Sequence, residues 1–160
     1  MRFRYDPAKT FCQNWVGALI AYVVIDGLCM GLGMGVPFFC ILLGFPVGWF
    51  GAMRAWHFVP GQVGAMKRSL RYALLTSLVT LVIMAVVWGR LVPLMFHPVI
   101  NPTNMGLPLL LYEAKASLIG WLVLMIFISP SLQFLMTAFG SFLTFLFVFS
   151  RWPEGPPRVA

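Results

Sequence analysis

Long apolar blocks alternate with short polar connections along the chain. The first block, residues 15–53, is almost continuously apolar. As one helix it would be about 58 Å long, roughly twice the thickness of the hydrocarbon core of a bilayer. The block must therefore fold back, and the glycines and proline of residues 31–37 are typical of such a break. The pattern predicts two helices, near 15–32 and 37–53, joined by a tight turn.

A basic stretch separates the first block from the next. We predict residues 54–69 to be a cytoplasmic loop, because they carry several cations and no acid and turn at Pro60-Gly61. A third helix is predicted near 70–92. The segment that follows it, 93–108, is rich in proline and asparagine and is expected to be a non-cytoplasmic loop. The cations that define the cytoplasmic side are Arg54, Lys67, Arg68 and Arg71.

The last apolar block, 117–150, is again too long for one span, at about 51 Å. Either two helices, near 109–129 and 131–150, form a second hairpin, or one long helix kinks at Pro130. A projecting Phe-rich segment would expose much apolar area to water, which favours two helices and five spans. The basic residues after the block favour a cytoplasmic end and four spans, but burial of several phenylalanines outweighs these two charges, so five spans are preferred. The tail, 151–160, is predicted to be loose.

Composition identifies lipid as the main solvent of these helices. Of 160 residues, 61% are hydrophobic and only 9% are charged, against about 25% charged residues in a soluble domain. We therefore predict an all-α, polytopic transmembrane helical bundle of four or five spans, forming a single integral membrane domain over 1–160. The basic segment 1–14 places the N-terminus in the cytoplasm. Short loops and the lack of a eukaryotic targeting segment favour a bacterial cytoplasmic (inner) membrane.

The net charge of +7 does not indicate a nucleic-acid partner. The cations cluster beside the apolar blocks, where they act as topology signals or contact lipid headgroups. We expect the lipid bilayer to be a partner and nucleic acid not to be one.

Asp26 is the most informative single residue. It lies midway along the first predicted helix, between aliphatic side chains. A carboxylate at the bilayer centre costs about 2.5–3.5 kcal/mol on insertion scales, so it should face protein or a wet cavity. Three interpretations are open. Asp26 is an intramembrane proton or cation site, or a protonated carboxyl bonded to a neighbouring helix, or a residue near the far interface of a shifted helix.

Small residues recur at helical spacing and predict close helix packing. Intrachain contact between the first two helices is the simpler interpretation, and a docking face for another subunit is the alternative. A polar stripe with spacings of four, four and three follows in the last block and should also face another helix. The packing residues are Gly27, Gly31, Gly35, Gly44 and Gly48 in the first block and Gln133, Thr137, Ser141 and Thr144 in the last.

Motifs for chemistry are missing from the sequence. It contains no phosphate-binding loop, nucleophile triad or metal-hydrolase motif, so we expect neither an enzyme nor catalytic residues. The three cysteines lack ligand spacing and the two histidines lie at span ends, so we expect no metal or haem cofactor. Glu113 and Lys115 are expected to anchor a helix end at the interface.

Two functions remain open. The first is a non-catalytic structural or accessory subunit of a larger membrane complex, which packs through the glycine and polar faces on other membrane subunits. The second is a small homo-oligomeric transporter or channel-like protein that uses Asp26 as its proton or cation site.

Overall fold

Four helices make up the part of the chain that the computed structural model describes, residues 15–32, 38–96 and 102–151. They are α1 (Trp15–Leu32), α2 (Phe38–Phe58), α3 (Gln62–Gly89) and α4 (Ala114–Arg151). Two short 3-10 turns, Val92–Phe96 and Pro102–Met105, lie between α3 and α4. These described segments contain no strand. The predicted fold-back at 33–37 and the terminal segments 1–14 and 152–160 lie outside them.

The connection between α2 and α3 is far shorter than the predicted loop 54–69. Residues 59–61 alone separate the two helices, and Gly61 turns the chain with φ +82°. Arg54 is therefore in the last turns of α2, and the other three cations lie in α3. The loop prediction was wrong because charged residues were taken as loop-forming, whereas long cationic side chains also cover the exposed ends of apolar helices. Likewise, α3 begins at Gln62 instead of 70.

The last apolar block is one continuous helix of 38 residues, so the two separate helices predicted at 109–129 and 131–150 are wrong. Pro130 lacks an N–H group and would clash with the carbonyl group four residues before it. The turn Leu124–Ile128 is a π-helix, which widens the backbone just before the proline. Ser129 and Ser131 donate hydroxyl hydrogen bonds to the carbonyl groups of Leu124 and Phe127, at 2.8 and 2.7 Å. The helix therefore passes the proline without a break.

Pairwise contacts show that successive helices run in alternating directions. Ser69 of α3 bonds to Ser141 of α4, whereas Ser77 bonds to Pro130, so these helices are antiparallel. On α2, Gly48 lies against Ser141 and Trp56 packs against Phe149, so α2 and α4 are parallel. In α1, Tyr22 and Asp26 meet Thr76 and Thr80 in the same order, so α1 is parallel to α3.

This arrangement gives the bundle two chemically different ends. The end that we call the basic end carries the cations Arg54, Lys67, Arg68, Arg71 and Arg151. Arg90, Glu113 and Lys115 lie at the opposite end, and all three are exposed. An apolar cluster is buried near each end: Met84, Trp88, Leu118, Leu122 and Met125 at the opposite end, and Ala52, Ala55, Trp56, Ala65, Phe145 and Val148 at the basic end.

Large apolar side chains cover the outside of the helices, while polar side chains lie between them. Leu78, Val82 and Val86 on one face of α3 are each at least half exposed. On the inner face of α3, Ser69 and Thr80 are almost fully buried. Two helices, Gln62–Gly89 and Ala114–Arg151, are long and apolar enough to cross a membrane. The fold is all-helical, as the sequence predicts.

Candidate functional site

Asp26 is completely buried inside the helical bundle. Thr80 of α3 donates its hydroxyl hydrogen to Asp26 Oδ2 at 2.7 Å. The aspartate therefore faces protein, as its burial in an apolar helix requires. Burial between helices fits both the ion-site interpretation and the hydrogen-bonded carboxyl interpretation of Asp26.

The bond to Thr80 is one link in a chain of polar side chains that joins three helices. The Tyr22 hydroxyl, one turn before Asp26 on α1, lies 2.6 Å from Thr80 Oγ1. Gln133 of α4, completely buried, donates an amide hydrogen bond to the Tyr22 oxygen at 2.5 Å. The Tyr22 hydroxyl also lies 3.2 Å from the carbonyl oxygen of Thr76, which it can use as an acceptor. We call these side chains, Tyr22, Asp26, Thr80 and Gln133, the polar relay.

The polar relay can be hydrogen-bonded in two opposite orders. With Asp26 ionised, Gln133 donates to Tyr22, Tyr22 to Thr80, and Thr80 to the carboxylate. With Asp26 protonated, the carboxyl donates to Thr80, Thr80 donates to Tyr22, and the Tyr22 hydroxyl turns to the Thr76 carbonyl. A hydroxyl group has one donor and two acceptor positions, so both orders satisfy each atom that they use. The relay can therefore hold Asp26 in either protonation state without leaving a hydroxyl group unpaired.

Gly44 and Gly48 of α2 pack on α4 and not on α1, which corrects the expected partner. A methyl group on Gly44 would lie 2.8 Å from the Gln133 carbonyl oxygen, and one on Gly48 would overlap the Thr137 carbonyl oxygen. Ser141 donates to the Gly48 carbonyl at 3.0 Å. The predicted glycine face and the predicted polar stripe thus meet each other. Small residues let the backbones approach this closely.

The other predicted packing residues have different surroundings. Gly27 lies on the exposed side of α1, with no atom within 4 Å of the position that a methyl group would take. Thr144 is buried and bonds within α4 to the Gly140 carbonyl at 2.7 Å. Gly35 lies outside the described residues, as do the surroundings of Gly31.

Two cations of the basic end lie over aromatic rings. Arg54 lies over the ring of Phe58 at 5.6 Å, and Arg68 lies over Tyr72 at 5.5 Å. Arg68 also donates to the Tyr72 hydroxyl at 3.2 Å. Lys67 and Arg71 are exposed. The exposed cations Lys67, Arg68 and Arg71 can therefore meet lipid headgroups.

A cavity of about 450 Å³ lies between α1, α2 and α3. We call it the cleft. Its walls are almost entirely apolar, with small residues along α1. Arg54 and Tyr72 border it towards the basic end, and Tyr22 and Thr76 border it near the polar relay. The lining residues also include Gly17, Ala18, Ala21, Ile25, Leu43, Val47 and Phe50.

Sequence reasoning missed Tyr22 and Thr80, although both are as buried as the predicted residues. Their spacing carries a signal. Tyr22 and Asp26 are four residues apart, as are Thr76 and Thr80, so each pair lies on one helix face. Two polar pairs of equal spacing in separate apolar helices could have been matched to each other.

Searches for similar proteins do not extend this picture: no family model matches the chain, and no curated protein or solved structure is significantly similar to it. Within the described segments, no three His, Cys, Asp or Glu residues lie together as metal ligands would.

Proposed function

We propose that the protein is a four-span protein of a bacterial inner membrane that exchanges protons across the bilayer through Asp26. The observation that carries this proposal is the polar relay, which accommodates both protonation states of a fully buried carboxyl group. Ionisable groups inside a membrane are expensive and are commonly retained for ion or proton pathways.

The alternating helix directions support the four-span part of the proposal. Four traverses return the chain to the side on which it began, with Trp15 and Arg151 both at the basic end. By the positive-inside rule, this end faces the cytoplasm. Large apolar side chains point outward, where lipid would cover them. The fifth span, which required a break at Pro130, is not proposed.

A proton can move through the polar relay by short hops. A proton that reaches the Tyr22 oxygen displaces the tyrosine hydrogen to Thr80 Oγ1, and the Thr80 hydrogen passes to Asp26 Oδ2. Each hydroxyl group keeps one hydrogen, and the carboxylate gains one. The result is the second hydrogen-bond order, with Tyr22 donating to the Thr76 carbonyl. The reverse sequence returns the proton to Tyr22, so net transfer across the bilayer also requires Asp26 to release its proton towards the opposite end of the bundle.

Proton uptake into liposomes tests this function. The purified chain is reconstituted with a pH-sensitive dye inside, and a potassium diffusion potential drives uptake. We expect Asp26→Asn to reduce uptake to the level of protein-free liposomes. Thr144→Val is the matched control, because Thr144 is buried on α4 but bonds only within its own helix. Proton uptake by Asp26→Asn equal to that of the unchanged chain would refute the proposal, and lowered stability alone would then assign Asp26 a packing role.

An accessory subunit of a membrane complex is the second candidate. The open side of α1 at Gly27 favours it, because another helix could approach the backbone there. The glycines of α2 and the polar stripe of α4 do not, because they already contact each other. Particle mass in mild detergent separates the candidates. Different co-purifying subunits would support the accessory role, and the chain alone or a symmetric homo-oligomer would support the transporter.

A further inference from the structure

We propose that the cleft binds one acyl chain of an anionic membrane lipid, with the lipid headgroup at Arg54. The assignment goes beyond proton exchange, since it needs the cleft and its basic border and does not need Asp26. The volume and lining of the cleft indicate what kind of molecule binds there, and the charge at its end indicates the headgroup.

The shape and lining of the cleft fit a hydrocarbon chain. Its volume of about 450 Å³ is within the range of small-molecule sites, about 300–1,000 Å³. From Leu43 to Arg54, the wall formed by α2 is about 16 Å long by helix rise. Small residues of α1, including Gly17, Ala18 and Ala21, leave the space between the helices unfilled. An elongated apolar space beside lipid is suited to an acyl chain and unsuited to a polar solute.

Charge at one end of the cleft selects the headgroup. Arg54 is the only cation that lines the described cleft, and it borders the cleft at the basic end. Lys67, Arg68 and Arg71 increase the positive potential at the same end of the bundle. A guanidinium group binds a phosphate through two parallel hydrogen bonds, and Tyr72 adds a hydroxyl group at this border. An anionic phospholipid therefore matches both the apolar wall and the charged end.

The position of the lipid has a consequence for the polar relay. An acyl chain in the cleft would lie against Tyr22 and would keep water from that end of the relay. Because protons enter the relay at Tyr22, a bound acyl chain should slow proton uptake. Lipid binding itself does not depend on Asp26, because Asp26 does not line the cleft.

Native mass spectrometry of the detergent-solubilised chain tests the proposal. The protein is titrated with phosphatidylglycerol and phosphatidylcholine of identical acyl chains. We expect tighter binding of phosphatidylglycerol, and we expect Arg54→Gln to weaken it about fivefold, the effect of one cation near a headgroup. Arg151→Gln is the matched control, because Arg151 lies at the same end, over Phe147, and does not line the cleft.

A second variant tests the acyl-chain part of the site. Gly17 has no atom within 4 Å of the position that a methyl group would take, so Gly17→Leu can fill the cleft without a backbone clash. We expect this variant to lose the tight phosphatidylglycerol site while folding normally. Equal binding of both lipids, an equal effect of Arg54→Gln and Arg151→Gln, or unchanged binding by Gly17→Leu would overturn the assignment.

Two further experiments distinguish a membrane lipid from a free fatty acid and separate lipid binding from proton exchange. Palmitate that displaces phosphatidylglycerol at lower concentration would overturn the assignment to a membrane lipid in favour of a free fatty acid. Asp26→Asn should bind phosphatidylglycerol as the unchanged chain does. If the unchanged chain binds phosphatidylglycerol but takes up no protons, the lipid site is upheld and proton exchange is refuted.

Discussion

Gly48 of α2 lies directly against the backbone of Thr137 on α4, so closely that a methyl group on Gly48 would overlap the Thr137 carbonyl oxygen. It would also lie 2.9 Å from the Ser141 nitrogen. Because both neighbours are backbone atoms of a helix, neither can move aside alone. This contact fixes the distance between the two parallel helices.

The first prediction concerns this contact. Gly48→Ala should lower the free energy of unfolding by about 1–3 kcal/mol, since the added methyl group forces the helices apart. Gly27→Ala is the control and should change it by less than about 1 kcal/mol, because its methyl group enters open space. Unfolding of both variants in mixed detergent micelles measures the difference. Equal stability of the two variants would show that α2 and α4 are not in close contact.

The second prediction concerns the bond between Thr80 and Asp26. Thr80→Val keeps the shape of the side chain but removes the donor, and it should cost about 0.6–2 kcal/mol, as for other hydrogen bonds between membrane helices. In a double-mutant cycle, Thr80→Val and Asp26→Ala should be non-additive, because each removes one partner of the same hydrogen bond. Asp26→Ala with Thr144→Val should be additive. Additivity of the first pair would contradict the contact.

The third prediction separates the relay from the carboxyl group itself. Tyr22→Phe removes the hydroxyl group between Gln133 and Thr80 but leaves the bond from Thr80 to Asp26. Proton uptake by Tyr22→Phe should fall to a small fraction of the uptake by the unchanged chain. Tyr72→Phe, which changes a tyrosine bonded to the exposed Arg68, should leave uptake unchanged. Full uptake by Tyr22→Phe would show that protons reach Asp26 by another route.

The fourth prediction concerns the basic end of α4. The rings of Trp56 and Phe149 are tilted by 55° with centroids 5.0 Å apart, and Phe149 packs against the buried apolar cluster to which Trp56 belongs. Trp56→Ala should cost about 3–5 kcal/mol and should speed amide hydrogen exchange in the last turns of α4. Phe147 is 59% exposed, so Phe147→Ala should change exchange little. Unaltered exchange in Trp56→Ala would mean that this end of α4 is held by other contacts.

The fifth prediction concerns topology. Because α4 is continuous, a reporter fused after Ala160 should lie on the same side of the membrane as one fused before Met1. A fluorescent protein that matures only in the cytoplasm should glow at both ends, and a phosphatase that is active only outside should be inactive at both. Phosphatase activity at the C-terminal end alone would restore the five-span alternative.

The apolar pattern and the helix-breaking residues predicted most of the helical fold, but they did not predict that α4 continues through Pro130. Three of the predicted helices correspond to α1, α2 and α3, with boundaries that moved by up to eight residues. Pro130 was interpreted as a break because its missing N–H group and its ring oppose a regular α-helix. The π-turn before it and the hydroxyl groups of Ser129 and Ser131 accommodate it. Such compensation depends on backbone geometry, which spacing alone does not show.

For the candidate site, sequence located Asp26 and the polar stripe but not their partners. The cost of a carboxylate in lipid is a property of one residue, so Asp26 could be identified without a structure. Its contacts with Thr80, and those of Tyr22 with Gln133, join positions 54 and 111 residues apart. Which helices are neighbours is decided by the packing of all four, and therefore the glycines of α2 were assigned to the wrong helix.

These separations also set an order of events during synthesis. Thr80, the donor to Asp26, follows it by 54 residues, which is about 3–10 s of translation at typical rates. Gln133 is made later still, so α1 reaches the membrane long before the helices that surround its carboxyl group. We expect the nascent α1 to stay at the aqueous edge of the insertion machinery, with Asp26 hydrated, until α3 arrives. A ribosome-stalled chain ending before Thr80 should therefore remain extractable by alkaline carbonate, whereas one that includes α3 should resist extraction.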